Sequence, residues 1–223
     1  MSVLISDAEV SIRLMRNELG DYQVMSKWLS DPRVLEFYEG RDHPLALEQI
    51  QSEYARCIRG EEDVTPCLIM LQSVPIGYMQ FYLVGEESRN SYGLPADECL
   101  KAVYGIDQFI GEVSCWNRGL GTRSISLLLR YLFQTKSARK VILDPHVTNL
   151  RAIRCYEKCG FRRVKVLAAH ELHEGFFGML GSGRRVLSSG RAVQRERSRT
   201  RQCAVPSGVV QRFAFCVLPR HSG

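Results

Sequence analysis

The chain has 223 residues, 45% hydrophobic and 24% charged, with a formal net charge of +6. That length is enough for one sizeable core with an extension to spare. No apolar run reaches the ~18–20 residues that a membrane helix needs, and the first eleven residues show no basic-then-apolar leader pattern, which argues against a membrane-embedded or secreted protein.

In chain order, Val10 to Met15 alternates and reads as a first strand. Asp21 to Ser30 reads as a helix with Val24, Met25, Trp28 and Leu29 inward, closed by Asp31-Pro32. Residues 33–44 read as an irregular loop carrying Phe37, Tyr38, Glu39 and Asp42, aromatic and acidic types that suit a cationic ring-shaped ligand and equally an ordinary anchored loop. Leu45 to Arg59 reads as a second helix. Cys67 to Leu71 and Ile76 to Val84 are strands joined by a tight turn at Ser73-Val74-Pro75. Residues 85–101 read as a loop able to cover a site. Val103 to Ile110 is the next strand, and Asp107 falls on the same face as Val103 and Phe109. An acid in such a strand is costly unless it is paired or used.

Trp116-Asn-Arg-Gly-Leu-Gly-Thr122 then opens an amphipathic helix, with Ile125, Leu128, Leu129, Leu132 and Phe133 at helical spacing. Glycines at a helix start let the backbone approach a ligand, and the free N–H groups there make an anion site. Arg118 and Arg123 add positive charge. The same pattern also serves to start a tightly packed helix. Lys140 to Leu143 is a short strand ending at Asp144-Pro145. Thr148 or Asn149 caps a helix that runs to Cys159 and ends at Gly160. Phe161 to Ala168 is a further strand. The class is α/β, a mixed sheet with one strand-helix-strand crossover.

The net charge conceals a division. Residues 31–112 carry a net charge of −9, residues 113–179 carry +8, and residues 180–223 carry nine arginines against the single acid Glu196. An acidic half beside a basic half suits two ligands of opposite charge, although separate solvated surfaces would give the same count. Eight cysteines form no CxxC pair and read as small buried thiols of a reducing cytoplasm. Cys155 and Cys159 share a helix face, but no second ligand pair for a metal accompanies them.

Asn149 to Phe161, placed after the glycine turn, closely resembles the acetyl-CoA-binding helix of the GCN5-related N-acetyltransferases. Val64-Thr-Pro66, Pro75-Ile-Gly-Tyr78, Gly105-Ile-Asp-Gln108 and Asp144-Pro145 resemble the aminoglycoside 6'-N-acetyltransferases within that family. The resemblance covers roughly residues 10–175. It implies a sheet whose central strands splay apart around acetyl-CoA, the co-substrate. Arg118, Gly119, Leu120, Gly121 and Thr122 would hold the pyrophosphate. Gln108, Phe109 and Ile110 would pair with the pantetheine arm, and Asn149 would touch it. Asp107 would serve as base or amine anchor, and burial would make it a better base. Tyr156 would protonate the departing thiolate. Asp144, Phe37, Tyr38, Asp97 and Glu98 would face the aminoglycoside. One departure stands out: Trp116 occupies a position where the family usually has Gln or Arg. The alternatives are acetylation of another amine, such as a polyamine or a protein N-terminus, and a weakly active relative that binds RNA through its tail.

The resemblance decays after Glu174. The domain is therefore expected over 1–179, with Gly175 to Leu180 as a remnant of a last strand. Residues 180–223 form an Arg/Ser/Gly-rich extension expected to be disordered, as a frame change or fused reading frame would produce. No base-reading module accompanies the arginines, so nucleic acid is not the expected partner. A cytoplasmic monomer or homodimer is expected.

Overall fold

The computed structural model describes residues 3–38, 40–85, 92, 102–172 and 209–219. Eight strands form one sheet: β1 (Val3–Ser6), β2 (Val10–Leu14), β3 (Val64–Leu71), β4 (Val74–Leu83), β5 (Val103–Ile110), β6 (Lys140–Leu143), β7 (Arg162–Leu172) and β8 (Val209–Val217). Among the described residues, the α-helices with defined bounds are α1 (Leu19–Trp28), α2 (Pro32–Leu35), α3 (Leu47–Ile58), α4 (Leu120–Gln134) and α5 (Leu150–Lys158). The spatial order is β1-β2-β3-β4-β5-β6-β8-β7. All neighbours are antiparallel except β5 and β6, which run parallel across the α4 crossover.

The run Cys67-Leu-Ile-Met-Leu71 is apolar throughout because β3 is buried on both faces. Cys67 and Ile69 pack towards Ile125, Leu128 and Leu132 of α4. Leu68 and Met70 pack on the other face towards Met25, Trp28 and Tyr54 of α1 and α3. This is the period-two alternation of a central strand between two helical layers.

Arg13 and Asp21 meet beneath α1, both less than a tenth exposed, through two 2.7 Å hydrogen bonds. The Arg16 N–H adds a third to the same carboxylate at 2.8 Å. Burial opposes ionisation of Asp21, but these donors outweigh it and hold the carboxyl below its usual range.

The structure revises several expectations. β1 lies where no strand was expected, and residues 32–35 form a short helix. The hairpin turn is Gln72-Ser73, one residue earlier than expected, with Gln72 at φ 56°. The larger correction concerns the extension. Residues 209–217 are not a disordered appendix: β8 lies inside the sheet, between β6 and β7. Phe215 is 1% exposed, and Ala214 and Val217 are buried with it. The fold therefore continues past the boundary at 179, and β8 is the last described strand; Gly175 to Leu180 lie outside the described residues. The aromatic and apolar run Phe213 to Val217 carries this strand, and the arginine-rich composition before it masked the signal.

Two outcomes follow. Asp21→Asn leaves Arg13 buried and unpaired, so it should cost about 3–5 kcal/mol in urea unfolding. Because the folded carboxyl titrates below the unfolded one, the parent should keep this stabilisation above the unfolded carboxylate range and lose it as pH falls towards the folded value. A chain ending at residue 208 should lose the cooperative melting transition, since it uncovers β6 and β7 edges and removes a Phe worth about 2–3 kcal/mol of burial. A soluble fragment melting like the parent would show that β8 is dispensable.

Candidate active site

Only residues 103–105 of β5 pair with β6. Beyond them β5 continues to Ile110 beside β4 alone, and the two parallel strands part. A cavity of about 450 Å³ occupies this gap, lined by residues 106–110 of β5, the start of α4, the end of β6 and one face of α5.

One wall is the N-terminus of α4. Asn117 and Gly119 both take left-handed backbone, at φ 59° and 76°, a conformation that Gly adopts without strain. Gly119 is the N-cap, and no side chain caps the helix. Its first N–H groups lack intrahelical partners, at the positive end of a fifteen-residue dipole. At Gly121 an added Cβ would stand 3.4 Å from Gln108 Nε2 and 3.7 Å from Cys155 Sγ, ordinary contact distances, so the protein's own packing does not demand glycine there. Gln108 Nε2 lies 3.4 Å from Gly121 O, while its buried Oε1 has no hydrogen-bond partner among the described residues. Arg154 and Lys158 bring positive charge from α5. Arg118 is exposed and outside the lining. Arg123 turns away to Asp7, at 2.5 Å, and to Glu9.

Trp116 has a structural task. Its Nε1 donates to Ile110 O at 2.7 Å, tying the end of β5, and the Arg151 guanidinium stacks 3.9 Å from its ring centre. Asn149 is the N-cap of α5, accepting from Ala152 N–H at 3.0 Å, and it also lines the cavity.

The opposite wall carries the carboxylates. Gln80 Nε2 donates to Asp107 Oδ2 at 2.8 Å, and Tyr78 Oη donates to Gln80 Oε1 at 2.7 Å. This buried relay runs along β4 and fixes the Asp107 carboxyl. Tyr156 is 8% exposed. Burial, with Cys155, Asp107 and Asp144 nearby, pushes its phenol far above the ordinary value, so it stays protonated. Asp144 follows β6 at the mouth of the gap. Phe37 sets its ring edge-on to His146 at 6.2 Å, and Tyr38 packs on Phe109 at 4.6 Å. Both line the cavity.

Asp107, Gln108, Phe109, Ile110, Gly119, Leu120, Gly121, Thr122, Asp144, Asn149, Tyr156, Phe37 and Tyr38 therefore share one cavity. Asp97 and Glu98 lie outside the described residues. Sequence reasoning missed Gln80, His146 and Arg212. Gln80 had a signal, as the lone polar residue in the apolar stretch Tyr78-Met-Gln-Phe81.

Fold and site give a cavity between parted strands beside an uncapped helix start, and comparison with known proteins places the chain in a family. An acetyltransferase (GNAT) domain model matches residues 18–169. The chain belongs to this family of GNAT acetyltransferases. It is 35% identical over 158 residues to aminoglycoside N(6')-acetyltransferase type 1 of Klebsiella pneumoniae, covering 71% of this chain and 76% of the relative. The structure of AAC(6')-Ib in complex with ribostamycin and coenzyme A is 34% identical, with a TM-score of 0.59 over 71% of this chain and 86% of that one. Spermidine N-acetyltransferase from Vibrio cholerae shares the fold at 14% identity, with a TM-score of 0.62 over 95% of this chain and 96% of that one.

Cys155 offers a chemical probe of the cavity. Hydrogen bonding from the Cys159 thiol, opposed by burial and helped by the Thr122 hydroxyl at 3.3 Å, lowers its pKa. Cys57 is pushed up to about 12, chiefly by burial. Among the described cysteines, iodoacetamide should therefore alkylate Cys155 first, with its rate rising with pH below the range of an ordinary thiol. Peptide mass mapping checks this, and preferential labelling of Cys57 would contradict it.

Proposed function

We propose that the protein transfers the acetyl group of acetyl-CoA to the 6'-amine of aminoglycosides, the reaction by which such an enzyme confers resistance. One observation carries this reading: a single cavity joins an open helix N-terminus, with Arg154 and Lys158, to a wall bearing Asp107 and Asp144. A polyanionic donor suits the first side and a polycationic acceptor the second. The relatives' 6'-acetyltransferase name and their complexes with coenzyme A and an aminoglycoside support it.

Acetyl-CoA, when bound, supplies a thioester whose carbonyl carbon an amine attacks directly, breaking the carbon–sulfur bond. The N–H groups of Gly119 to Thr122 bind its pyrophosphate, and Arg118, exposed and outside the cavity lining, is proposed to add positive charge beside them. The backbone of Gln108, Phe109 and Ile110, unpaired with β6, binds the pantetheine arm, and Asn149 flanks it. The buried Gln108 Oε1 fits this arm, since it is an acceptor placed for an amide donor. Asp107, oriented by Gln80, takes the proton of the attacking ammonium or anchors it. Tyr156 presents a protonated hydroxyl to the departing sulfur. Asp144, Phe37 and Tyr38 hold the acceptor, and Asp97 and Glu98 are proposed to join them. The gain is largely alignment of two reactants in a closed cleft.

Thiol release from acetyl-CoA with kanamycin and tobramycin tests the assignment. Asp107→Asn should lower kcat/KM by about 10²–10³-fold, and Tyr156→Phe should lower kcat by about tenfold or more, with coenzyme A binding retained in both. Turnover of spermidine with none of either antibiotic would move the acceptor to polyamines. Unchanged rates in Asp107→Asn would remove its catalytic role.

A further inference from the structure

β8 brings a charged side chain into the cavity. Arg212 Nη1 donates to Asp144 O at 3.1 Å, and Nη2 lies 3.2 Å from His146 Nε2. A backbone bridge pairs residues 146 and 212, so both partners are held by main chain. His146 is 3% exposed. A guanidinium has only donors, so in this contact the His146 Nε2 that faces it is the acceptor. The arginine is thus fastened to the wall that carries Asp144, in the same cavity as Asp107. Its charge reaches the surrounding hydroxyls. Burial raises the phenols of Tyr82, Tyr92 and Tyr156, Asp107 and Asp144 raise them further, and Arg212 opposes the shift.

Resting on the aminoglycoside reading, we infer that Arg212 is a specificity-determining residue: its fixed guanidinium offsets part of the negative charge of Asp107 and Asp144, and so penalises acceptors in step with the ammonium groups they bring to that wall. Arginine keeps its charge at every pH the protein meets, so the pocket cannot relieve the repulsion by titration. Like charges in a partly desolvated pocket repel far more than in water. A guanidinium carries only donors and a fixed positive charge, so it repels an acceptor's ammonium but not its hydroxyl, and part of the selectivity is repulsive. Nothing in the composition of residues 180–223 announces this, because eight further arginines surround the one that enters the site.

The test is calorimetric binding to the full chain saturated with coenzyme A. The probes are kanamycin A, kanamycin B, which carries an amine in place of one hydroxyl, and spermine. The parent should bind kanamycin B no more tightly than kanamycin A. Arg212→Gln should bind all three more tightly, by about tenfold for kanamycin B and less for kanamycin A, with a steeper loss of affinity as salt rises. Arg212→Lys, which keeps charge but loses the forked contacts, should stay near the parent. If Arg212→Lys instead behaves as Arg212→Gln, the arginine is only a strut for Asp144 and His146, and the inference fails. Equal or weaker binding in Arg212→Gln also overturns it. Should Arg212→Gln fail to fold, a parent that strongly prefers kanamycin B overturns it without any variant. Spermine binding with neither kanamycin bound would sink the aminoglycoside reading, and the variants would then be judged on spermine alone.

Discussion

The structure turns on a pairing that stops. β5 and β6 share three residue pairs and then separate, so among the described residues the edge of β5 from Ile106 to Ile110 has no strand neighbour on that side. An exposed edge inside a sheet is ordinarily a defect, since it leaves main-chain donors and acceptors without partners. Here the same separation makes the cavity, and the crossover between the two strands places the start of α4 at its wall. Trp116 helps to hold the gap open, because its indole N–H takes up Ile110 O at the very end of β5.

The division of charge along the chain only partly survives folding. Of the basic stretch 113–179, Arg154 and Lys158 line the cavity, whereas Arg123 is spent on Asp7 and Glu9. Of the acidic stretch 31–112, Asp107 reaches the site, while Glu61 and Glu62 pair with Arg56 and Arg59 far from it. In the proposed reading, backbone dipole and helix N–H groups would therefore carry more of the anion binding than the count of arginines suggests.

Much of the fold was legible because its signals are local. Periodicity located α4, α5, β5 and the β3–β4 hairpin, and the glycine turn with Asn149 to Phe161 located the cavity. What escaped was non-local. β1 is a four-residue strand with no period to read. The Tyr78–Gln80–Asp107 relay joins residues in register across two strands, a relation that spacing within one strand does not express. β8 was missed for the opposite reason: its apolar run Phe213 to Val217 is plain, but composition averaged over the preceding arginines overwhelmed it.

Chain order and spatial order part company most at that last strand. β8 enters between β6 and β7, so β7 completes its antiparallel pairing only when the end of the chain arrives. The β6 side of the gap is then supported by Phe215 and its neighbours, and the Asp144 wall receives Arg212 and holds it against His146. Donor and acceptor ends of the cavity are consequently built by different parts of the sequence. The α4 turn and α5 build the anion side from one contiguous stretch, which is why it reads so clearly. The acceptor side draws on α2 and the residues after it, β4, β5, the end of β6 and β8 together. A site assembled from so many separated segments can change its charge by one residue in one strand while the donor side stays untouched, and that makes the acceptor wall the natural place for selectivity to vary.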